Sequence, residues 1–381
     1  MIFTNEISRW IEDHREEHLN LLLTLARIPA PSNQEEKRAA FIRNWLKENG
    51  AEGVYIDEAL NVIYPIGVTD SNPLVVFAAH SDVVFPDTEA LPLSMANGRI
   101  CCPGIGDDSA NVAALLMAAA YAAQNQLVPK AEGVLLVINS GEEGLGNLKG
   151  SRKIVETYGS RIREFVSLDG TAESMVSRAV GSRRYRISVD TEGGPSYANF
   201  GNRNAIAYLA SLIDTLYTMQ VPPKGKTTYN VGTISGGTSV NTIAQHVEML
   251  YEFRSDERES LMLMEGHLSA ALAFYRTKGV QVTAELVGDR PCSGPVDEER
   301  ENALTSRISA AVEKHYGWQP PLRVGSTDCN IPLSMGIPSA CIGCYLGDGA
   351  HTREEYVELS SLPAGLRVAF ELILHHFEVN A

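Results

Sequence analysis

The chain has no apolar run as long as the roughly 20 residues that a helix needs to cross a bilayer, so the sequence predicts no membrane-spanning helix. Its opening residues are acidic and lack the basic and apolar segments of a signal peptide, and we therefore expect a cytoplasmic protein. Positive charge is also scarce, because 32 Lys and Arg against 47 Asp and Glu leave a formal net charge of −15. That charge argues against partners such as nucleic acid or an anionic membrane.

Cysteine is rare as well, with six in 381 residues. Cys101 and Cys102 are adjacent, and Cys341 and Cys344 form a CxxC, a spacing found in zinc and redox sites. A second CxxC that would complete a four-thiolate site is missing, and the existing pair lies in an apolar, strand-like segment. We therefore expect reduced, buried thiols.

Apolar, strand-like runs alternate with helix-like segments along the first half of the chain. Residues 73–82 and 133–144 begin with nearly continuous apolar runs, which are typical of buried parallel strands, and residues 163–170 form another strand-like segment. A helix rich in Ala and Leu separates the first two. This alternation predicts βαβ units, and the fold class is α/β with a mostly parallel sheet flanked by helices.

A second pattern begins near Gly181. Apolar and polar residues alternate there, as in a half-solvated antiparallel strand, and the order βαββαβ follows. Residues 293–295 have the composition of a return linker. We therefore predict one domain from residues 1–181 and 296–381, with a smaller α+β domain inserted at 182–295.

Six side chains that can carry chemistry recur along the chain, most of them just past an apolar run. They are His80, Asp107, Glu142, Glu143, Asp169 and His351. Two histidines and three carboxylates can hold a pair of divalent metal ions, and the spare carboxylate can act as a base on a water between them. Sites in parallel sheets lie beyond the carboxyl ends of the strands, where several of these residues fall.

Each position also has an ordinary interpretation when it is taken alone. A histidine at a strand end is more often structural, the pair Glu142 and Glu143 suits an exposed loop, and Asp169 suits a turn before a glycine. Of the two adjacent acids before the Ala-rich helix, we take Asp107 as the ligand and Asp108 as the helix cap.

Local patterns give further predictions. A first helix is expected over residues 5–27, and Ser32 with Glu35 predicts a capping box for a second helix that ends near Gly50. Four histidines lie in predicted helices and are expected at the surface: His14, His18, His375 and His376.

Together, the segments HSD, GIGDD, GEEG, SLDG and the late AHT resemble the dinuclear-zinc metallopeptidase family of peptidase T, bacterial glutamate carboxypeptidase, acetylornithine deacetylase and aminoacylase. The resemblance spans nearly the whole chain. It implies an exopeptidase, or a related deacylase, acting on small peptides or N-acyl amino acids. It also implies two divalent ions, zinc in the first place, although cobalt and manganese suit the same ligands.

The resemblance assigns the metal ligands residue by residue. His80 and Asp169 would bind one ion, and Glu143 and His351 would bind the other. Asp107 would bridge the two ions.

It also implies roles around the metals. Glu142 would be the general acid/base, and Asp82, two residues after His80 on the same side of the strand, would orient that imidazole. The smaller domain would act as a lid and as the surface of a homodimer. Asn241 and Arg254 would bind the substrate, because an arginine offers the fork that a carboxylate needs. A surface salt bridge explains Arg254 equally well.

One position departs from the family's pattern. Related enzymes carry GGHS, whose histidine is thought to stabilise the oxyanion across a dimer, and this chain has Pro195 there. Losing one oxyanion donor typically costs ~10²–10³ in turnover. Three explanations stay open: another donor such as Ser196, Asn241 or Arg254 takes over, the substrate needs less help, or the chain is a catalytically weak metal- and ligand-binding homologue.

Overall fold

The computed structural model describes residues 4–378, which fall into two compact units. The first unit joins the chain up to Ala179 to the chain from Gly294 onward, and the second is Val180–Ser293. Within the described part, every helix is too short or too polar to cross a bilayer. The catalytic and lid roles of the two units stay a prediction.

The helices of residues 4–378 are α1 (Asn5–Asp13), α2 (Arg15–Arg27), α3 (Glu36–Glu48), α4 (Asn111–Gln124), α5 (Lys149–Tyr158), α6 (Ala205–Leu216), α7 (Arg258–Arg276), α8 (Glu298–Tyr316), α9 (Asn330–Ser334) and α10 (Leu362–Leu374). A π-helical turn, Ile105–Ala110, precedes α4.

The strands are β1 (Tyr55–Ile56), β2 (Val62–Ile66), β3 (Leu74–His80), β4 (Ser94–Ala96), β5 (Arg99–Cys101), β6 (Gly133–Asn139), β7 (Ile162–Ser167), β8 (Met175–Ala179), β9 (Gly181–Asp190), β10 (Gly194–Pro195), β11 (Thr227–Gly236), β12 (Thr242–Ile243), β13 (His246–Ser255), β14 (Gln281–Arg290), β15 (Leu322–Gly325), β16 (Ser339–Cys341), β17 (Gly347–Asp348) and β18 (Tyr356–Glu358).

An eight-stranded sheet forms the centre of the first unit, in the order β1-β2-β6-β3-β7-β16-β8-β15. β3 runs parallel to β6 and β7, β16 runs parallel to β7, and β15 runs parallel to β8. The pairs β1-β2, β2-β6 and β8-β16 are antiparallel. Every residue of β3 and β6 is buried, which accounts for their apolar sequences. The predicted fold class is confirmed.

Helices cover both faces of this sheet. Because side chains alternate along a strand, Val75 and Phe77 of β3 join one apolar core, and Val76 and Ala78 join the other. The first core includes side chains of α2, α4 and α10, and the second includes side chains of α5 and α9. α4 is buried over residues 111–123, so small and apolar residues are required along its length.

The second unit is a four-stranded antiparallel sheet, β11-β13-β9-β14, with two helices packed against it. Buried and half-buried residues alternate along most of β9, as its sequence predicts. Side chains of α6 and α7, such as Leu209 and Leu268, share a core with Ile187 and Phe253 of the sheet. The chain order β9-α6-β11-β13-α7-β14 is the predicted βαββαβ order, with the short strands β10 and β12 added.

The predicted first helix is two helices. α1 ends at Asp13 and α2 begins at Arg15, with His14 between them in a non-helical conformation (φ −107°, ψ 16°). The His14 ring stacks on Trp10, and its Nδ1 lies 2.7 Å from the Trp10 carbonyl oxygen. This side-chain contact closes the last turn of α1 and separates it from α2.

The prediction of unpaired, buried thiols holds for most of the cysteines. All six lie in the described part of the chain as free thiols, and five of them are buried. Cys101 is half-buried. Burial raises the pKa of Cys341 and Cys344 above the usual thiol value, which favours their neutral thiol form.

Two histidines that were expected at the surface are buried, since His18 exposes 4% of its surface and His376 exposes 8%. His18 lies on the stripe of α2 that also buries Leu21, Leu22 and Leu25, at the spacing of one helix face. Among residues 4–378 the Nε2 atom of His18 has no hydrogen-bond partner. Burial lowers the pKa of His18 from 6.5 to about 4.

Acid should therefore destabilise the first unit through His18. The neutral imidazole is favoured in the folded state, so the stabilisation is complete above pH 6.5 and is lost as the pH falls towards about 4. We expect protonation of this residue to lower the free energy of unfolding of the wild type by about 2 kcal/mol when the pH falls from 7 to 5. Urea denaturation at both pH values should show that His18→Leu removes this loss.

His246→Gln is the comparison variant, because His246 is exposed on the second unit and pairs with Asp190. It should keep the loss of stability that His18→Leu removes. Equal losses in the wild type and in His18→Leu would contradict the account.

Candidate metal centre

Four of the predicted site residues follow neighbouring strands of the large sheet. His80 is the last residue of β3, Glu142 and Glu143 follow β6, and Asp169 follows β7. β6, β3 and β7 are adjacent and parallel, so their carboxyl ends meet at one edge of the sheet. The strand order therefore brings these side chains together.

The other two residues come from loops. Asp107 lies in the π-helical turn Ile105–Ala110, and the peptide bond between Asp107 and Asp108 is cis. His351 lies between β17 and β18 with a left-handed backbone (φ 66°). Both side chains reach the residues at the edge of the sheet.

Asp107 belongs to two groups of ligand atoms. It groups with His80, Asp108 and Asp169, and separately with Glu143 and His351, and the atoms of each group lie within 4.8 Å of one another. The Oδ1 atom of Asp107 is 2.9 Å from the Nε2 of His80, and its Oδ2 is 3.1 Å from the Nε2 of His351. One carboxylate thus presents an oxygen to each histidine, as a bridging ligand must.

The donors fit a pair of divalent cations. Burial raises the pKa of Asp169 to about 7, against the lowering effect of His80. Hydrogen bonds to Asp107 and Glu143 raise the pKa of His351 to about 10. The carboxylates of the two ligand groups also outnumber their two histidines. Imidazole nitrogens and carboxylate oxygens are ligands that zinc and similar ions accept.

Asp82 supports two parts of this cluster. The Nδ1 of His80 lies 3.0 Å from the backbone oxygen of Asp82 and 3.5 Å from its carboxylate. That carboxylate accepts the backbone N–H groups of Glu142 and Glu143, at 2.9 Å each. Asp82 therefore contacts the His80 ring mainly through its carbonyl group, and it holds the loop of the two glutamates with its side chain.

Asp108 does not cap α4, contrary to the prediction. Its buried carboxylate accepts the backbone N–H of His80 at 2.8 Å and the side-chain amide of Asn111 at 2.7 Å. The N-cap position is taken by Ala110, which is already helical (φ −68°, ψ −41°), whereas Asp107 and Asp108 have non-helical dihedral angles. Asp108 instead connects the end of β3 to the start of α4, beside the His80 and Asp107 ligand atoms.

The predicted capping box is also wrong. The Ser32 hydroxyl donates to Oδ2 of Asp82 at 2.7 Å. The Glu35 carboxylate accepts the backbone N–H of Asn33 and the ammonium group of Lys149, at 2.9 Å each. Both side chains therefore support the loops of the cluster. The local sequence pattern could not predict the contact of Ser32, because its partner lies 50 residues further along the chain.

Comparison with known families decides the kind of protein. The sequence profile of peptidase family M20/M25/M40 matches residues 76–375, which is well over half of the chain. This chain belongs to peptidase family M20/M25/M40. The predicted family and the prediction of a metal-dependent hydrolase are confirmed, and the matched range includes every predicted site residue from His80 to His351.

Relatives of this M20/M25/M40 chain include enzymes with different activities. The succinyl-diaminopimelate desuccinylase of Methylobacillus flagellatus is 26% identical over 277 residues, which cover 66% of this chain and 70% of that protein. A tripeptidase from Staphylococcus aureus has a TM-score of 0.75 at 22% identity, covering 94% of this chain and 97% of that one. A dinuclear metal-binding peptidase from Bacillus subtilis has a TM-score of 0.65 at 18% identity, covering 96% and 99%. The two structural likenesses support the fold.

The predicted substrate residues of this M20/M25/M40 member lie in the second unit. Arg254 forms an ion pair with Glu252 of the same strand, with nitrogen–oxygen distances of 3.0 and 3.1 Å. The Asn241 side-chain oxygen accepts a hydrogen bond from the Ser239 hydroxyl at 2.8 Å. The salt-bridge interpretation of Arg254 describes its present contacts, and its role towards substrate stays a prediction.

Pro195, at the position where the family pattern has histidine, lies in β10. This strand pairs with β12, which places Pro195 opposite Thr242. The neighbouring Ser196 donates its backbone N–H to the Asn241 carbonyl oxygen at 2.9 Å. Two of the alternative donors, Ser196 and Asn241, therefore lie directly beside Pro195.

Proposed function

We propose that this chain hydrolyses an amide bond in small peptides or N-acyl amino acids with the help of two divalent metal ions. The observation that carries the proposal is the placement of Asp107, whose two oxygens lie 2.9 Å from His80 and 3.1 Å from His351. Similarity to a desuccinylase and to a tripeptidase supports both substrate types.

The ligand sets are those that the family resemblance implies, and the two groups that share Asp107 support them. His80 and Asp169 would hold one ion, Glu143 and His351 would hold the other, and Asp107 would contact both. Zinc is the first choice, with cobalt and manganese suited to the same donors. When bound, the ions would polarise the scissile carbonyl and lower the pKa of a water molecule.

Proton transfer is assigned to Glu142. Its side chain lies in a buried group with His80 and Glu143, whose ligand-type atoms are within 4.8 Å of one another. It would take a proton from the attacking water and deliver it to the leaving amine. Asp82 would keep Glu142 in place through the backbone hydrogen bond of 2.9 Å.

The second unit would bind the substrate, act as a lid and form a homodimer. Asn241 and Arg254 would contact the substrate carboxylate or the oxyanion, because an amide and a guanidinium group supply the donors these need. Three large apolar side chains, Tyr197, Phe200 and Val240, are exposed on this unit, which supports a homodimer surface. Cytoplasmic location stays a prediction.

A substrate screen tests the proposal. Zinc-loaded and cobalt-loaded protein would be incubated with a pool of dipeptides, tripeptides and N-acyl amino acids, with Glu142→Gln as the blank. Mass spectrometry should show selective loss of some members, and their identity would separate a peptidase from a deacylase. A protein with two bound ions that consumes nothing above the blank would contradict the proposal.

Pro195 supports a second candidate function, a catalytically weak homologue that binds metal and ligand. We favour the active enzyme, because Ser196 and Asn241 lie beside Pro195 and can supply a donor. Pro195→His should then change kcat by less than about 10-fold, since the missing donor is already replaced. Steady-state kinetics at equal metal content would measure this.

Pro195→Ala is the matched control, because it changes the backbone at the same position without adding a donor. A rise of about 10²–10³ in kcat for Pro195→His alone would favour the weak homologue.

A further inference from the structure

A buried carboxylate holds the loop that carries Asp107. Glu355 exposes 1% of its surface. Its Oε2 accepts the backbone N–H of Gly104 at 2.6 Å, and its Oε1 accepts those of Gly106 and Asp107, at 2.8 Å each. The Glu355 side chain thus accepts hydrogen bonds from three of the four backbone N–H groups of residues 104–107.

The same loop is tightly enclosed on its other sides. Gly104 has a left-handed backbone (φ 76°), and a Cβ atom there would lie 2.6 Å from Val83. A Cβ atom on Gly106 would lie 2.4 Å from the hydroxyl of Tyr345. The loop therefore runs between these side chains and Glu355, so a shift of the carboxylate would move the backbone of Asp107.

Glu355 also belongs to the segment that supplies the other histidine ligand. It follows His351 by four positions and directly precedes β18. Its carbonyl oxygen accepts the backbone N–H of Cys102 at 3.2 Å, and β18 pairs with β5. One residue therefore joins the chain around His351 to the chain before Asp107.

We infer that Glu355 is a positioning residue that sets Asp107 and His351 at the separation needed to bind both metal ions. The inference rests on the proposed function. Glu355 acts through the backbone of the Gly104–Asp107 loop and through its own segment, without contacting the substrate. Both of its oxygens matter because three N–H donors converge on them.

Glutamine at this position keeps the size of the side chain but replaces one acceptor oxygen with a donor. Its amide nitrogen would turn a donor towards an N–H donor of the loop, so at least one backbone group would lose its acceptor. Glu355→Gln should therefore weaken zinc binding by about 10–100-fold, the range typical of lost support behind metal ligands. Glu355→Ala should weaken it further.

Chelator competition measures zinc affinity, and the absorption spectrum of the cobalt-loaded protein reports ligand geometry. Glu354→Gln is the matched control, because this neighbouring glutamate is exposed, and it should match the wild type in both measurements. Circular dichroism would establish that each variant is folded. If Glu355→Ala does not fold, the zinc affinity and cobalt spectrum of Glu355→Gln test the inference.

Two failures are distinguishable. A folded Glu355→Gln protein that binds zinc as tightly as the wild type, with the same cobalt spectrum, would overturn the inference and leave the proposed function intact. A wild-type protein that binds no metal would overturn the proposed function and the inference with it.

Discussion

Replacing Glu142 with glutamine should lower kcat by about 10³-fold while metal binding is retained. Glutamine keeps the size of the side chain but cannot accept the proton of the attacking water. The variant also keeps the backbone N–H of residue 142, which donates to Asp82 at 2.9 Å, so the loop should stay in place. Turnover of a substrate found in the screen, together with metal content, would be measured on the same preparations.

Glu143→Gln provides the contrast. Glu143 lies beside Glu142 but contacts His351, with 2.8 Å between its Oε1 and the Nε2 of the histidine. This variant should lose metal as well as activity. Turnover that persists in Glu142→Gln, or metal loss in that variant, would contradict the role assigned to Glu142.

Replacing Asp107 with asparagine should weaken binding of both metal ions. Asp107 is the residue shared by the two ligand groups, and the substitution removes the charge that both groups use and replaces one of the two oxygens with an amide nitrogen. We expect almost no zinc to stay bound after dialysis, because each site would keep only two protein ligands. Equilibrium dialysis with elemental analysis gives the zinc content per chain.

Asp169→Asn is the matched comparison, because Asp169 belongs to the group with His80 and not to the group with His351. It should lose one ion and keep the other. Loss of a single ion from Asp107→Asn, or equal losses in the two variants, would contradict a bridging role for Asp107.

The sequence predicts the parts of this protein that follow from patterns within a short segment. β3 and β6 are buried along their whole length, so each is a nearly continuous apolar run that can be recognised without a structure. The positions of His80, Glu142 and Glu143 at the ends of such runs follow from the same rule. The burial of His18 could also be predicted from the sequence, because this residue shares a helix face with Leu21 and Leu25.

Contacts between distant segments could not be predicted in this way. Glu355 lies 251 residues from Gly104, and nothing in the charged stretch around it distinguishes a buried acid from an exposed one. The Ser32 pattern is a legitimate capping signal, yet the hydroxyl bonds to Asp82 because tertiary contacts bring that carboxylate within 2.7 Å. The residues that support the ligands are therefore visible only once the fold is known.

The most direct test of the account is a crystal structure of the zinc-loaded protein with anomalous scattering measured at the zinc edge. The account predicts two peaks about 3.5–4 Å apart, one beside His80 and Asp169 and one beside Glu143 and His351, with Asp107 in contact with both. A single peak, or peaks that Asp107 does not join, would contradict it.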